Sequence, residues 1–194
     1  MRRVTDLLVL LLVAPAAILL VAVLALAVKL DSRGPAFIAH RRVGKGGMPI
    51  NLWKLRTMIA DAEQRKAELA HLNVLPWPDF KIPNDPRVTG VGRWLRRTSL
   101  DELPQLWNLL RGEMTLVGPR PCSIPLNRYR LWHTERLEVT PGLVGVWQSS
   151  GRNQVDFDAR CRMDITQIRR ASAISGITMT AKTARAVLGS RQDF

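Results

Sequence analysis

From Leu7 to Val28 the chain reads LLVLLLVAPAAILLVAVLALAV, 22 consecutive residues without a charge. Wound as one helix, such a run is about 33 Å long, close to the hydrocarbon thickness of a bilayer. It is too long for the core of a signal peptide, and no small-residue cleavage site leads from it into a polar mature region. It is therefore expected to be retained and embedded in a membrane. Beyond Gly34 and Pro35 the pattern shortens. The glycines of RRVGKGG read as a turn, and Ile50 to Met58 as a strand in which Lys54 and Arg56 share one face and Trp53 and Leu55 the other. Ile59 to Leu75 has helical spacing, with Ile59, Ala62, Leu69 and Leu72 apolar. Pro76 to Gly90 is too rich in proline for regular structure, and Arg93 to Arg97 fits a short basic helix. Ser99 to Gly112 carries both helix-boundary signals: Ser99 with Glu102 matches a capping box, and Gly112 is a C-terminal stop. Leu100, Leu103, Trp107 and Leu110 would form its apolar face. The tail from Asp156 to Leu188 again alternates basic and apolar faces at helical spacing. The pattern as a whole predicts a mixed α/β protein, mostly helical.

Charge changes the picture of the apolar run. The chain of 194 residues has a formal net charge of +13. Arg2 and Arg3 precede the run, and Lys29, Arg33, Arg41, Arg42 and Lys45 follow it, so both flanks favour the cytoplasmic side. Pro15, inside the run, removes one helical hydrogen bond and crowds the preceding turn, which bends a helix. A re-entrant helix, broken at Pro15 and returning to the face it left, satisfies both flanks. A straight spanning anchor with a tolerated proline is the alternative. The expected organisation is a membrane helix over residues 1–30 and a cytoplasmic-face domain over residues 31–194 with amphipathic interfacial helices. Basic excess on a membrane-attached chain points to anionic headgroups or phosphorylated substrates.

Cys122 and Cys161 form no CxxC, and His40, His71 and His133 are scattered, so no zinc site is expected. The candidate chemistry lies in TSLDELPQL. Neighbouring residues on a helix point about 100° apart, so Asp101 and Glu102 cannot do the same work. Acids in a first turn are stabilised as anions by unpaired N–H groups. There, too, a phosphate bridged by a divalent cation can be held. Arg93, Arg96, Arg97, Arg111 and Arg120 supply many possible phosphate donors. A capped helix with solvated arginines explains the same window without any chemistry.

Three longer stretches decide between these readings. RVGKGGMPINLWKLRTM, NDPRVTGVGRWLRRTSLDELPQLWNLLRGEMTLVGPRP and RLEVTPGLVGVWQSSGRN resemble the bacterial sugar transferase family, the monotopic phosphoglycosyl transferases acting on polyprenol phosphate. The resemblance covers almost the whole chain, in the compact form with only the catalytic core. It implies that Asp101 attacks the β-phosphate of a UDP-sugar and expels UMP, giving an aspartyl-phosphosugar that undecaprenyl phosphate then resolves. Glu102 matches the second acid of the dyad, and magnesium is the implied cofactor, held at Asp101 and Glu102. Lys54, Arg56, Arg97, Arg120 and Arg152 match phosphate- or nucleotide-binding positions. Asp164 resembles a late acid supporting the metal or the arginines, and Pro15 matches the family's helix-breaking proline. The implied place is the cytoplasmic face of the bacterial inner membrane, with membrane lipid as a further partner. A homodimer is compatible with the amphipathic tail.

The chain also departs from the family. Ala14 stands where many relatives carry Ser, Val144 where threonine is common, and the tail lacks the usual Tyr and Trp. A rival class is a membrane-tethered, non-catalytic protein that binds anionic lipid or nucleic acid. No nucleic-acid module is recognisable, however, and nucleic acid is not an expected partner.

Overall fold

The computed structural model describes residues 2–74, 80–145 and 156–170. In chain order these form α1 (Arg2–Asp31), β1 (Phe37–Val43), β2 (Pro49–Leu55), α2 (Gly90–Thr98), α3 (Gln105–Arg111), β3 (Thr115–Val117), β4 (Gly142–Val144) and α4 (Phe157–Arg170). Short 3-10 turns connect them, and the fold is mixed α/β as expected. Two compact units share the chain. The α2 unit comprises residues 14–40 and 53–104; the α3 unit comprises 2–13, 41–52 and the described residues from 105 onward.

Helix α1 is long and apolar enough to cross a membrane by length and composition. Pro15 lies inside it without ending it, because the loss of one donor bends a helix while the turns on either side stay bonded. Leu11, Leu12, Ile18 and Leu19 are 69–83% exposed, so most of its apolar surface has no protein to cover it. A helix apolar all round is stable only in a core or a bilayer, and this one is not in a core.

In the α2 unit the last turns of α1 do find a core. Leu24 and Val28 pack with Ala36, Leu55 and Leu95. At the C-terminal end of α1, Arg56 donates through Nη2 to the carbonyl of Ser32 at 2.8 Å and through Nη1 to that of Arg33. A guanidinium there satisfies carbonyls the helix end leaves open. Strand β2 ends at Leu55, so Arg56 lies outside it and does not share a strand face with Lys54. The connection between β1 and β2 is residues 44–48, too short for a parallel crossover, and the two strands form a hairpin.

Helix α2 starts one turn earlier than the basic segment suggested, with Thr89 as its N-cap. Its first turn lies so near residue 57 that a Cβ on Gly92 would sit 2.1 Å from the Thr57 carbonyl oxygen. The expected helix over Ile59–Leu75 is absent: among its described residues only the 3-10 turns Gln64–Lys66 and Ala70–Leu72 form. The cause is non-local. Arg87 Nη1 takes the Ala62 carbonyl at 3.0 Å, and the Lys66 amide bonds to Glu63 instead, three residues back. Arg87 is itself held by Asp85, Nη2 to Oδ2 at 2.6 Å, with both side chains buried. Tertiary capture of one carbonyl has overridden good helix propensity.

The single helix expected over Ser99–Gly112 is also divided. Ser99 does not cap it; it closes α2 in the left-handed conformation, φ 56°, with its amide on the Arg96 carbonyl. Leu100–Glu102 is one 3-10 turn, and α3 begins only after Pro104, which lacks a donor and crowds the carbonyl four residues back. Gly112, φ 76°, does terminate α3.

In the α3 unit β3 and β4 pair in parallel, Thr115 opposite Gly142 and Val117 opposite Val144. A Cβ on Gly142 would meet the Gly118 amide nitrogen at 2.1 Å, so the loops around the pair touch backbone to backbone. The start of α1 is tied to this unit. Asp6, buried, accepts from Thr115 Oγ1 at 2.7 Å and the Leu116 amide at 3.1 Å, and Arg3 donates to the carbonyls of Leu109 and Leu110. The tail is helical as far as Arg170, as α4; its expected continuation lies outside the described residues.

Gly92→Ala is the sharpest test of the α2 packing. Forcing a methyl against a carbonyl should destabilise the protein by about 1–3 kcal/mol, read as a lower midpoint in denaturant or heat in detergent.

Candidate active site

The turn that carries the acids owes its position to what precedes it. Ser99 reverses the chain at the end of α2, and the 3-10 turn Leu100–Glu102 turns Asp101 inward and leaves Glu102 at the edge. Asp101 is 8% exposed. Lys54, the penultimate residue of β2, reaches both acids: its Nζ is 2.7 Å from Glu102 Oε1 and 3.6 Å from Asp101 Oδ2. The first is a charge-assisted hydrogen bond and the second is beyond one, so Lys54 balances the charge of Asp101 while bonding directly to Glu102.

Burial raises the Asp101 carboxyl above the usual carboxylate range, and the negative charge of Glu102 adds to it; Lys54 and Arg96 oppose the rise. Arg96 is half-buried and donates through Nε to Thr57 Oγ1 at 2.9 Å. Burial lowers its proton affinity, and Asp101 and Asp85 partly restore it. The α2 unit therefore gathers Lys54, Asp101 and Glu102, with Arg96 alongside.

It does not gather Arg56 or Arg97. Arg56 is 4% exposed and its terminal nitrogens are committed to the end of α1; a Cβ on Gly34, φ 118°, would come 2.6 Å from Nη1. Arg97 lies on the exposed side of α2. The family resemblance points to Arg97, whereas Arg96, one of the possible phosphate donors, is the arginine beside Asp101, and a local signal favours it. Gly92, Leu95 and Arg96 stand at i, i+3 and i+4 of one helix, and the first two are buried.

The α3 unit holds Arg120 and Asp164. Arg120 Nη1 donates to the Leu143 carbonyl at 3.0 Å and lies 3.4 Å from Gln105 Oε1. Asp164, fully buried on α4, pairs with Arg136, Oδ2 to Nη2 at 2.6 Å. The same Nη2 donates to the backbone carbonyl of Arg120 at 2.9 Å. Burial raises the Asp164 carboxyl and Arg136 pulls it back down. Asp164 thus acts on Arg120 through Arg136, a residue the sequence reading did not single out. Arg152 lies outside the described residues.

The donor set suits magnesium more than zinc. Among the described residues no three His, Cys, Asp or Glu side chains cluster. Magnesium is commonly held by one or two carboxylates plus substrate phosphates, and Asp101 with Glu102 offers two adjacent carboxylates.

Comparison with known proteins identifies the family. A family model described as bacterial sugar transferase matches residues 1–190. The chain is 44% identical over 160 residues to an undecaprenyl-phosphate galactose phosphotransferase of Salmonella typhimurium, covering 80% of this chain and 34% of that protein. It is 38% identical to the UDP-glucose:undecaprenyl-phosphate glucose-1-phosphate transferase of Escherichia coli, over 89% of this chain and 37% of that one. It thus spans about a third of the length of these two relatives. The exopolysaccharide production protein ExoY of Rhizobium meliloti is matched more fully, at 39% identity over 86% of this chain and 76% of the relative. With the family model matched from the start of α1 to beyond α4, and a relative of comparable length at this identity, the chain belongs to the bacterial sugar transferase family.

Proposed function

We propose that this chain transfers a sugar 1-phosphate from a UDP-sugar to undecaprenyl phosphate, releasing UMP. Asp101 is the nucleophile. One of its carboxylate oxygens attacks the β-phosphorus, the bond from that phosphorus to the bridging oxygen breaks, and UMP leaves with the bridging oxygen. A phosphate oxygen of undecaprenyl phosphate then attacks the same phosphorus. The Asp101 carboxylate is released, and undecaprenyl-diphosphate-sugar departs. The observation that carries this reading is the unequal sharing of Lys54. A carboxylate bonded tightly by an ammonium is a poor nucleophile, and Lys54 makes its short bond to Glu102 while standing 3.6 Å from Asp101.

The other residues take roles around that step. Lys54 and Arg96 offset the charge of the incoming diphosphate, and Glu102 holds Lys54. Arg120, steadied by Arg136 and Asp164, binds a phosphate or the nucleotide, as does Arg152. Arg56 serves the site by fixing the chain two residues beyond Lys54. Magnesium, held by Asp101 and Glu102 together with substrate phosphates, would neutralise charge on the diphosphate and on UMP.

The membrane reading is the re-entrant one, with both ends of α1 on the cytoplasmic face of the inner membrane. Support comes from the basic residues at both ends of the apolar run, Arg2 and Arg3 before it and Lys29 and Arg33 after it, and from Pro15 within it. Trp107 and Leu110, exposed on α3 close to the carbonyls that Arg3 holds, suit the interface between headgroups and chains.

The covalent stage is tested by exchange of labelled UMP into UDP-galactose and UDP-glucose without lipid. Exchange is expected for the wild type with one of them. For Asp101→Asn it should fall by about 10^6-fold, the scale on which loss of a covalent nucleophile is felt. Full turnover with lipid but no exchange without it would replace the covalent route by direct transfer.

The pH profile gives a separate check. Asp101 must be ionised to attack, and burial raises its proton affinity, so kcat/KM should rise with pH through a limb above the ordinary carboxylate range. Lys54 lowers that affinity, so in Lys54→Met the limb should move to higher pH, whatever the loss of rate. A limb that stays in place would remove Lys54 from the electrostatics of the nucleophile.

A further inference from the structure

Two segments of the α3 unit outside the dyad and its arginines combine exposed apolar side chains with an unbroken positive sign. The turn between β1 and β2 ends in Met48, 68% exposed; the stretch from Pro125 leads through Leu126, 44% exposed, to Leu131, 88% exposed. They lie together. A Cβ on Gly47 would come 2.9 Å from Leu126 Cδ2, and residues 45–47 pack against the 3-10 run Leu131–Leu137. Residues 41–48 contribute Arg41, Arg42 and Lys45, residues 125–131 contribute Arg128 and Arg130, and neither stretch contains an acid. Arg130 also meets an acid outside these stretches, Asp158, at 3.0 Å.

We propose that this face rests on the bilayer, with Met48, Leu126 and Leu131 reaching below the headgroups and Arg41, Lys45 and Arg128 among anionic lipid phosphates. Exposed leucine and methionine side chains are disfavoured in water, and here they are ringed by cations of the kind that hold a protein segment to an acidic lipid surface. Each such cation is attracted to anionic lipid within a Debye length, so several on one face act together. A protein partner would need an acidic surface of matching outline, whereas a membrane-attached chain always has a bilayer at hand. The proposal rests on attachment through α1 but adds a contact that α1 does not make. It also fixes how the α3 unit, with Arg120, is presented to a lipid substrate.

The test uses the full chain in nanodiscs of phosphatidylcholine alone or with about one third phosphatidylglycerol. An environment-sensitive dye is attached at Leu131→Cys in a Cys122→Ser background, and in a second sample at Leu12→Cys on α1. In anionic discs the dye at 131 should shift to the blue and be quenched by lipids spin-labelled near the headgroup. The effect should weaken in neutral discs, in about 0.5 M salt and in Lys45→Glu/Arg128→Glu. Water-like, unquenched emission at 131 with quenching at 12 would overturn the proposal and leave α1 in the membrane. Absence of quenching at both would remove the membrane reading itself. A blue shift that grows with protein concentration in detergent would assign the face to a second copy of the chain.

Discussion

What the α2 unit depends on is a missing side chain. At Gly92 the first turn of α2 comes against the Thr57 backbone, and nothing larger than hydrogen fits there. From that contact several others follow. The Thr57 carbonyl accepts the Thr89 amide, so the residue that caps α2 is itself held by the chain beyond β2. The Thr57 hydroxyl receives Arg96 from the next turn, and Leu95 falls into the core with Leu55, Leu24 and Val28. Helix α2 then ends at Ser99, and the turn after it brings Asp101 to the lysine three residues before Thr57. The acid and its cation are neighbours because a glycine lets a helix lie on a backbone.

Two buried aspartates show how the same penalty serves different ends. Asp101 and Asp164 are both raised by burial and both opposed by a cation. Asp164 is gripped at 2.6 Å by a guanidinium that is itself buried, which is the geometry of a structural pair. Asp101 meets its lysine at 3.6 Å, and that lysine belongs more to Glu102. The difference of 1 Å between these two distances separates an acid gripped by its cation from one held more loosely. The cation nearest Asp101 thus makes its shorter contact with the neighbouring acid, a division that sequence alone does not disclose.

Much of this was legible in the residues. The apolar run, the glycine turn, the stop at Gly112, the basic helix and the acidic pair could all be read, because each depends on neighbours in sequence. The readings that failed depended on partners far along the chain. Ser99-x-x-Glu102 has the letters of a capping box, but the backbone of Ser99 is already spent in ending α2. Ile59 to Leu75 has helical letters, but Arg87 removes the carbonyl on which a helix would have built. Lys54 and Arg56 look alike and stand two apart, yet one faces the acids and the other a helix end. The buried pair of Arg136 and Asp164 spans 28 positions, and no local pattern announces it.

The hold of Arg56 on the end of α1 has one more consequence. Together with the bond from its own amide to the Ala36 carbonyl at 2.8 Å, it closes a loop whose content is the β1–β2 hairpin. The ends of that loop are pinned to each other whatever lies between, and lengthening a closed loop costs little. The position of Lys54 beside the acids is therefore fixed from outside the hairpin as well as by the pairing within it.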